Sequence, residues 1–336
     1  MRRHNYLFDK ITNVDNIWLA YKKARKGKTK KLSVRKFLRD ESKSIRYIQE
    51  LLMSGEFTTS SYTRKKITEP KEREIFILPF SPDRIIQHAI MNILEPIWNG
   101  LFIHDSYACR IGKGIHKGSA RTMEFVRKND YCLKLDISKF YPSMRHDILF
   151  GIISRKIKCV KTLRLLKDII YSIPGGKNIP IGNYTSQWCG NLYMNELDQY
   201  LKHIFKVKDY IIYCDDFLLF SNDKVLLREL SFVIQEFLWD KLRLILSKCD
   251  LFPVSRGVDF LGYRHFRNYV LLRKSTKKRV ERRLKILPSL LKRGVINEES
   301  YISSIASTQG WLKWANSFNF KKVVKLNGLH YQMIKV

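Results

Sequence analysis

The fold is decided by the stretch Tyr210-Ile211-Ile212-Tyr213-Cys214-Asp215-Asp216-Phe217-Leu218-Leu219-Phe220, in which two adjacent carboxylates interrupt a sequence suited to a buried β-hairpin. β-Branched and aromatic residues, which favour strands, flank the pair on both sides. We therefore expect Asp215 and Asp216 at the hairpin tip, on a stiff scaffold. Taken alone, an Asp-Asp pair also fits plain turn chemistry, since aspartate tolerates the dihedral angles of tight turns.

A second acidic motif lies upstream, in Tyr131-Cys132-Leu133-Lys134-Leu135-Asp136-Ile137-Ser138-Lys139-Phe140-Tyr141-Pro142, where Asp136 ends an apolar strand. Alone, Asp136 also fits a strand end or a helix N-cap. Carboxylates from neighbouring strand ends can hold two Mg²⁺ ions about 3.5–4 Å apart, which clamps the attacking and leaving oxygens in phosphoryl transfer. The two motifs in this order predict that chemistry.

Composition points to a folded protein with a polyanionic partner. The chain has 336 residues, 45% of them hydrophobic, which suffices for one large or two to three small domains. Its 63 Lys and Arg against 31 Asp and Glu leave a formal charge of +32, far more than solubility requires. Nucleic acid is the expected partner, and a membrane surface or the ribosome is the alternative. The aromatic residues also suit base stacking, although we expect most of them in the core.

Cysteine spacing and hydropathy exclude several other classes. The six cysteines are scattered without a C-x-x-C pair, so we expect reduced, mostly buried thiols and neither a zinc site nor a disulfide framework. The N-terminus lacks the apolar segment of a signal peptide, and no stretch approaches the length of a membrane span. The sequence therefore predicts a cytoplasmic protein with no membrane partner.

Periodicity predicts the order of elements in the first half of the chain. Residues 1 to about 55 are expected to be helical around a basic run at 21–31, which is either a solvated face or a phosphate contact. Residues 56 to about 80 alternate like strands, and apolar positions from Ser81 to Trp98 recur at helical spacing. The glycine-rich stretch 107–118 matches neither phosphate-loop consensus, so a P-loop is excluded.

The second half continues with helices and short strands. Helical segments reach the turn Pro174-Gly175-Gly176, and another helix extends through about Phe205. Phe260-Leu261-Gly262-Tyr263 is predicted to be a short strand whose glycine permits close approach of another backbone or a nucleic-acid end. A pair of basic helices is expected from about Lys274, as a solvated face or a grip on a duplex. The helix after the hairpin is predicted to bury Val225, Leu226, Leu230, Val233, Ile234, Phe237 and Leu238.

Together these motifs resemble a reverse transcriptase over nearly the full length of the chain. The matches are Asp136 with the first catalytic aspartate, Tyr213-Cys214-Asp215-Asp216 with the Y-x-D-D box, Lys248 with the downstream palm lysine, and Phe260–Tyr263 with the primer-grip region.

Within that superfamily the chain most closely resembles the reverse transcriptases of diversity-generating retroelements. Ile181-Gly182-Asn183-Tyr184-Thr185-Ser186-Gln187 is similar to their I/V/L-G-x-x-x-S-Q, which replaces the commoner Q-G-x-x-x-S-P, so Ile181 stands for Gln and Gln187 for Pro. The stretches 107–110, 87–89 and 253–257 are also similar to that family.

The resemblance implies an α+β, right-hand polymerase fold with fingers, a palm whose antiparallel sheet packs on helices, and a helical thumb. The expected divisions are a basic helical extension (1–55), fingers (56–130), the first part of the palm (131–150), a connection between fingers and palm (151–186), the palm with the Y-x-D-D hairpin and primer grip (187–268), and a basic thumb (269–336).

The resemblance also implies cofactors and partners. Asp136 and Asp215 are expected to ligate two Mg²⁺ ions, or Mn²⁺ in their place, with the backbone carbonyl of Ile137, while Asp216 supports the site or reaches one metal less directly. Expected partners are template RNA, the cDNA/RNA heteroduplex, dNTPs and a small, basic, pentameric accessory variability protein. Such enzymes are bacterial or phage-encoded and miscopy template adenines, which diversifies a target gene.

Nucleotide-binding roles follow from the same resemblance. Lys71 and Arg73 are expected to hold the incoming triphosphate, the alternative being an exposed salt-bridging strand pair. Tyr141 is the expected steric gate beneath the sugar, the alternative being an ordinary core aromatic. The full nucleotide-binding set is Lys71, Arg73, Ile137, Tyr141, Ile181, Gln187 and Lys248.

Two competing functions stay open. A retron or abortive-infection reverse transcriptase would use the same carboxylates with a different RNA, and the Ser186-Gln187 pair argues against it. An RNA-binding or assembly protein that has lost polymerase chemistry is the non-enzymatic alternative, and the presence of Asp136, Asp215 and Asp216 argues against it.

Overall fold

The computed structural model describes residues 3–68 and 72–324, and its first segment is helical as expected. Asn13 caps the longest of the first three helices by accepting hydrogen bonds from the backbone N–H groups of Asp15 and Asn16. The ring of Tyr21 stacks on Phe37 at 4.6 Å between centroids, which ties these helices into one core. The helices are α1 (Phe8–Thr12), α2 (Val14–Arg25), α3 (Leu32–Leu38) and α4 (Glu41–Met53).

An antiparallel hairpin and two long helices follow. The hairpin consists of β1 (Thr63–Ile67) and β2 (Arg73–Ile77), where the sequence predicts alternating strands. Helix α5 (Ile85–Asn99) packs against α2 and buries mainly apolar residues, as its helical spacing predicts. Helix α6 (Ile115–Lys128) begins within the glycine-rich stretch and includes Gly118.

The central strand and the helices of the middle segment come next. β3 (Tyr131–Ile137) is buried along most of its length, as is typical of a strand covered on both faces. The helices between it and the hairpin are α7 (Phe140–Ser143), α8 (His146–Ser154), α9 (Val160–Ile170) and α10 (Tyr184–His203).

A four-stranded antiparallel sheet organises the molecule. It combines β3 with β4 (Tyr210–Tyr213), β5 (Asp216–Ser221) and, after α11 (Lys224–Leu242), β6 (Leu246–Pro253), in the order β4-β5-β3-β6. Leu133 and Leu135 point into the main core from one face. Cys132 points from the other face into a smaller cluster that includes Phe125 of α6.

The prediction for α11 is partly wrong. Val225 and Leu226 are 61% and 43% exposed, whereas Ile234 is buried. At about 100° per residue, Val225 lies on the side of the helix opposite Ile234, so one helix face cannot bury both. The buried stripe consists of Leu227, Leu230, Ser231, Ile234, Leu238 and Leu242.

The prediction for Phe260–Tyr263 is also wrong in detail. Leu261 and Gly262 form the turn of a hairpin, since both have positive φ (54° and 85°), as a type I′ turn requires. The predicted close approach is made by a side chain, because a Cβ on Gly262 would lie 2.9 Å from the ring of Trp311. The strands are β7 (Val258–Phe260), β8 (Tyr263–His265) and β9 (Val270–Leu272).

The last described segment is a helical layer, as predicted, but of the expected pair only the first helix is strongly basic, because the second contains two Glu and one Lys. The layer contains α12 (Lys274–Lys292), α13 (Glu298–Lys313) and α14 (Phe318–Val323), with a small core of its own around Ile305 and Leu312. Mixed helices and antiparallel sheet confirm the α+β polymerase fold, while the residue limits of fingers, palm and thumb stay predictions. Within 3–68 and 72–324, no helix has the length and apolar character needed to cross a membrane.

Candidate active site

The acidic residues predicted from the sequence meet at one end of the central sheet. Asp136 on β3 lies directly opposite Asp216 on β5 and opposite Lys248 on β6. Asp215 occupies the turn before β5, and its carbonyl accepts a hydrogen bond from the N–H of Ile137 at 3.3 Å. The prediction placed both acidic residues at the hairpin tip, whereas only Asp215 is in the turn and Asp216 begins the strand.

The turn that carries Asp215 has a strained backbone. Cys214 has φ of 62°, a region that non-glycine residues rarely adopt and that the first position of a type II′ hairpin turn requires. The hydroxyl of Tyr141 lies 3.2 Å from the Sγ atom of Cys214, and burial raises the pKa of both groups. A Cβ on Gly190 would lie 3.3 Å from the same hydroxyl. Tyr141 is therefore wedged between α10 and the hairpin turn, and its role as a steric gate stays a prediction.

Asp136 is held by a serine that the sequence analysis did not identify. The hydroxyl of Ser247 lies 2.9 Å from Oδ2 of Asp136 and 3.1 Å from its backbone carbonyl oxygen. The pairing of β3 with β6 shifts register between Asp136 and Ile137, and such irregularities re-aim side chains at the ends of strands. Ser247 thus fixes the orientation of the first carboxylate.

Asp216 is half-buried, with a side chain that is 26% exposed. Burial raises the pKa of Asp216 to about 6, and the negative charges of Asp136 and Asp215 act in the same direction. The positive charges of Lys134 and Arg273 oppose that shift. The Oδ1 atom of Asp216 is buried and accepts no hydrogen bond from any described residue.

The donor chemistry of this site fits Mg²⁺. Carboxylate and carbonyl oxygens are the hard ligands that Mg²⁺ prefers, and Asp136, Asp215 and the backbone of Ile137 supply them at this end of the sheet. Across the described residues, no three His, Cys, Asp or Glu side chains converge closely enough to form a complete metal cage. Mg²⁺ is usually held by one or two carboxylates together with substrate phosphates and waters, so such a cage is not required.

The loop that carries Ile181 is fixed against the β1–β2 hairpin. The N–H of Phe76 donates to the carbonyl of Ile181 at 2.8 Å, and a Cβ on Gly182 would lie 2.1 Å from the carbonyl oxygen of Phe76. The hydroxyl of Ser186 donates to the carbonyl of Pro180 at 2.7 Å, and the side-chain amide of Asn183 donates to the hydroxyl of Tyr62 at 2.8 Å. The small polar residues of this motif therefore build the loop.

The start of α10 is held from α5 by the Gln87-His88 pair. Oε1 of Gln87 accepts a hydrogen bond from the N–H of Tyr184 at 2.8 Å. The ring of His88 stacks on Tyr184 at 4.2 Å, and burial lowers the pKa of His88 to about 4, so the ring is neutral at pH 7. These contacts leave Ile181 half-buried and Gln187 exposed.

The basic residues predicted to bind nucleotide lie in separate places. The pairing of β3 with β6 places Lys248 opposite Asp136, and the ammonium of Lys248 forms an ion pair with Asp250 at 2.8 Å. Arg73 is the exposed first residue of β2, on a different sheet. Lys71 lies outside the described residues. Their nucleotide-binding roles stay predictions.

A basic cavity of about 560 Å³ lies between β6, the β7–β8 hairpin and the start of α12. Lys134 and Arg273 line it and were not predicted from the sequence to take part in the site. Lys134 gave a usable signal, because it is a lysine inside a buried apolar strand, two residues before Asp136 and therefore on the same face. The basic lining residues are Lys134, Lys248, Arg256, Arg264, Arg273, Lys274 and Lys278.

Comparison with known proteins agrees with this geometry. The family model described as "Reverse transcriptase (RNA-dependent DNA polymerase)" matches residues 65–265, more than half of the chain and all of the central sheet. The chain therefore belongs to the reverse transcriptase family, whose members are RNA-directed DNA polymerases.

Individual relatives are distant. The chain is 24% identical to the retron Ec73 reverse transcriptase of Escherichia coli, over 76% of this chain and 83% of that protein. It is also 24% identical to nuclear intron maturase 4 of Arabidopsis thaliana, over 48% of this chain but only 21% of the maturase. A solved apo telomerase of Candida tropicalis superposes with a TM-score of 0.49 and 12% identity, over 68% of this chain and 52% of that one.

Proposed function

We propose that this protein is an RNA-directed DNA polymerase of a diversity-generating retroelement, which makes error-prone cDNA from a structured template RNA. The observation that carries the polymerase assignment is the end of the central sheet, where Asp136 faces Asp216 and Asp215 occupies the adjoining turn. Family membership over residues 65–265 supports the same assignment.

The residues of the site have distinct roles in this proposal. Asp136 and Asp215, with the carbonyl of Ile137, would hold Mg²⁺, which when bound stabilises charge on the attacking and leaving oxygens. Ser247 orients Asp136, and the strained Cys214 turn presents Asp215. Asp216 supports the site from a half-buried position. Arg73 and Lys71 would bind the triphosphate, and Lys248 would approach it from β6.

The subtype rests on the loop from Ile181 to Gln187. Ile181 offers the incoming nucleotide an apolar surface and no hydrogen-bond donor, in a loop held by Phe76 and Tyr62. We infer that the absence of the hydrogen bond that a Gln at this position would donate narrows the difference in rate between correct and incorrect nucleotide insertion, mainly opposite template adenine. The similarity to a retron reverse transcriptase over most of both chains favours a retron-type enzyme as the second candidate.

The proposed partners follow from the charge and from the subtype. A net charge of +32 suits template RNA and the heteroduplex product, whose phosphates would meet the basic helix α12 and the run at 21–31. A small, basic, pentameric accessory variability protein belongs to the proposal as a further partner, acting with the enzyme in the bacterial cytoplasm.

Primer extension on RNA tests the proposal. The purified chain, with and without a co-expressed accessory protein, is given a primed RNA template, dNTPs and Mg²⁺ or Mn²⁺, and the cDNA is sequenced. We expect metal-dependent extension with errors concentrated opposite template adenine. Extension with evenly distributed errors would favour the retron-type alternative, and an imperfect DNA repeat near the gene that differs mainly at adenines would favour the retroelement.

A further inference from the structure

Lys134 is a buried cation beside the acidic cluster. It is 8% exposed, it lies on the same sheet face as Asp136, and its cross-strand neighbour on β5 is Leu218. Its ammonium lies 3.6 Å from Oδ2 of Asp216. The same ammonium donates a hydrogen bond to the backbone carbonyl of Asp259 on β7. One side chain thus connects the Y-x-D-D strand to the neighbouring hairpin.

The contacts of Lys134 continue to the first basic helix of the C-terminal layer. The carboxylate of Asp259 forms an ion pair with Arg273, the residue immediately before α12. The N–H of Arg273 donates to the carbonyl of Gly262 at 3.0 Å, in the turn of the same hairpin. Asp216 is therefore anchored through Lys134 and Asp259 to the point where α12 begins.

Packing alone does not account for a lysine at this position. An apolar side chain of similar volume would fill a strand interior at least as well, because a buried ion pair loses much of its Coulomb energy to desolvation. What an apolar residue cannot supply is positive charge. Three carboxylates at the end of the sheet carry three negative charges, and Lys134 is the cation that the described contacts place directly against one of them.

We propose that Lys134 is a positioning residue that divides the three carboxylates into two roles. It holds Oδ2 of Asp216 away from the metals, which leaves Asp136 and Asp215 as the metal-binding pair and lowers the net charge of the cluster from −3 to −2. This inference rests on the proposed two-metal polymerase activity. It also links Asp216 to the start of α12, so that α12 and the acidic cluster keep a fixed relation.

Metal binding and rate together test the proposal in the full-length protein. Lys134→Met is compared with Lys134→Arg, which keeps the charge, and with Lys128→Met, which removes an exposed lysine paired with Asp209 at 4.0 Å. Mn²⁺ binding is followed by electron paramagnetic resonance without nucleotide, and the single-turnover rate is measured by primer extension. We expect Lys134→Met to bind Mn²⁺ about three- to tenfold more tightly, because a positive charge beside the carboxylates is lost. The rate should nevertheless fall about 10–100-fold, because Asp216 loses its anchor.

Both controls should stay near the wild-type values, with Lys134→Arg recovering most of the rate. A residue that only fills space would not tighten Mn²⁺ binding, so unchanged or weaker binding by a folded Lys134→Met protein overturns the proposal. If that variant does not fold, Lys134→Met combined with Asp216→Asn removes both charges and should bind Mn²⁺ within about twofold of the wild type. A double variant that binds much more tightly would also overturn it.

The failure of the proposed function has a different signature. If the wild-type protein does not extend primers but Lys134→Met still tightens Mn²⁺ binding, the polymerase assignment fails and the charge division stands.

Discussion

The two halves of one sheet face have opposite chemistry. At the far half, Cys132 and Phe220 pack beneath Phe125 of α6 in an apolar cluster. At the near half, four residues further along the same strands, Asp136 and Asp216 face each other in charged surroundings. Strand alternation is the same in both halves, so the difference comes from what adjoins the face. The buried face of the amphipathic helix α6 covers one half, and an open basic cavity lined by Lys134 adjoins the other.

This difference separates stability from chemistry within a single sheet. Apolar area removed from water at the far half stabilises the fold, whereas like charges held together at the near half oppose it. Substitutions in the far half should therefore change the free energy of unfolding, and substitutions in the near half should change the rate.

The largest effect is expected at the near half. Asp215→Asn removes a metal-binding charge while leaving the basic surface intact, so nucleotide addition should fall by at least about 100–1000-fold with RNA affinity nearly unchanged. Primer extension and RNA titration measure the two quantities. The matched control is Asp130→Asn, just before the opposite end of β3, which should extend primers normally. Full-rate extension by folded Asp215→Asn would refute the metal assignment.

The far half should give the converse result. Phe125 is fully buried against Phe220, with ring centroids 5.6 Å apart, so Phe125→Ala should lower the free energy of unfolding by about 3–5 kcal/mol. Denaturant titration measures that loss. The control Phe232→Ala, at a ring that is 66% exposed, should change it by less than about 0.5 kcal/mol. The comparison breaks down if Phe125→Ala slows extension per folded molecule as strongly as it destabilises the fold.

An acidic residue under the opposite face of the sheet sharpens the comparison. Asp198 is fully enclosed and accepts a hydrogen bond from the hydroxyl of Tyr210 at 2.6 Å, and burial raises the pKa of Asp198 to about 7. Because its folded-state pKa is raised, protonated Asp198 stabilises the fold at low pH. That stabilisation is lost as pH rises from the unfolded-state pKa toward about 7.

Asp198→Asn removes the pH-dependent loss of stability, because asparagine does not titrate, and it keeps an oxygen that can accept the hydrogen bond from Tyr210. The variant should match the wild type near pH 4 and exceed its free energy of unfolding by about 2–4 kcal/mol above pH 7. Chemical denaturation at several pH values measures the difference. An exposed control, Asp240→Asn, should show no such divergence. Parallel curves for Asp198→Asn and the wild type would mean that Asp198 is already ionised in the folded protein.

The smallest effect concerns nucleotide selection. Ile181→Gln supplies a donor whose hydrogen bond to the nucleotide should contribute about 0.5–1.5 kcal/mol. Misincorporation opposite template adenine should therefore fall by up to roughly tenfold with catalysis retained. Ile181→Met supplies a flexible side chain of similar size without that donor, and should keep the wild-type error spectrum. Sequenced cDNA gives both values. An unchanged spectrum in active Ile181→Gln would move the cause elsewhere, with Arg73 the next residue to examine.

Much of this architecture could be predicted from local sequence, and the reasons for the exceptions are physical. Strand composition around Asp136 and Asp215 was enough to place them at sheet ends, because alternation and turn chemistry act over a few residues. Ser247 was missed because its partner Asp136 lies 111 residues away in sequence. Arg273 was missed because only the folding of the β7–β8 hairpin brings it to Asp259. Leu261 and Gly262 were assigned to a strand because the sequence shows no sign that both residues adopt positive φ.

Gly182 brings the loop that carries Ile181 into direct backbone contact with the β1–β2 hairpin. With no side chain between them, the backbone at 181–182 rests directly on Phe76, and one hydrogen bond joins the two. We expect any movement of this hairpin toward a substrate to move Ile181 with it. A single methyl group at position 182 would clash with the Phe76 carbonyl and so change the position of Ile181 relative to the hairpin.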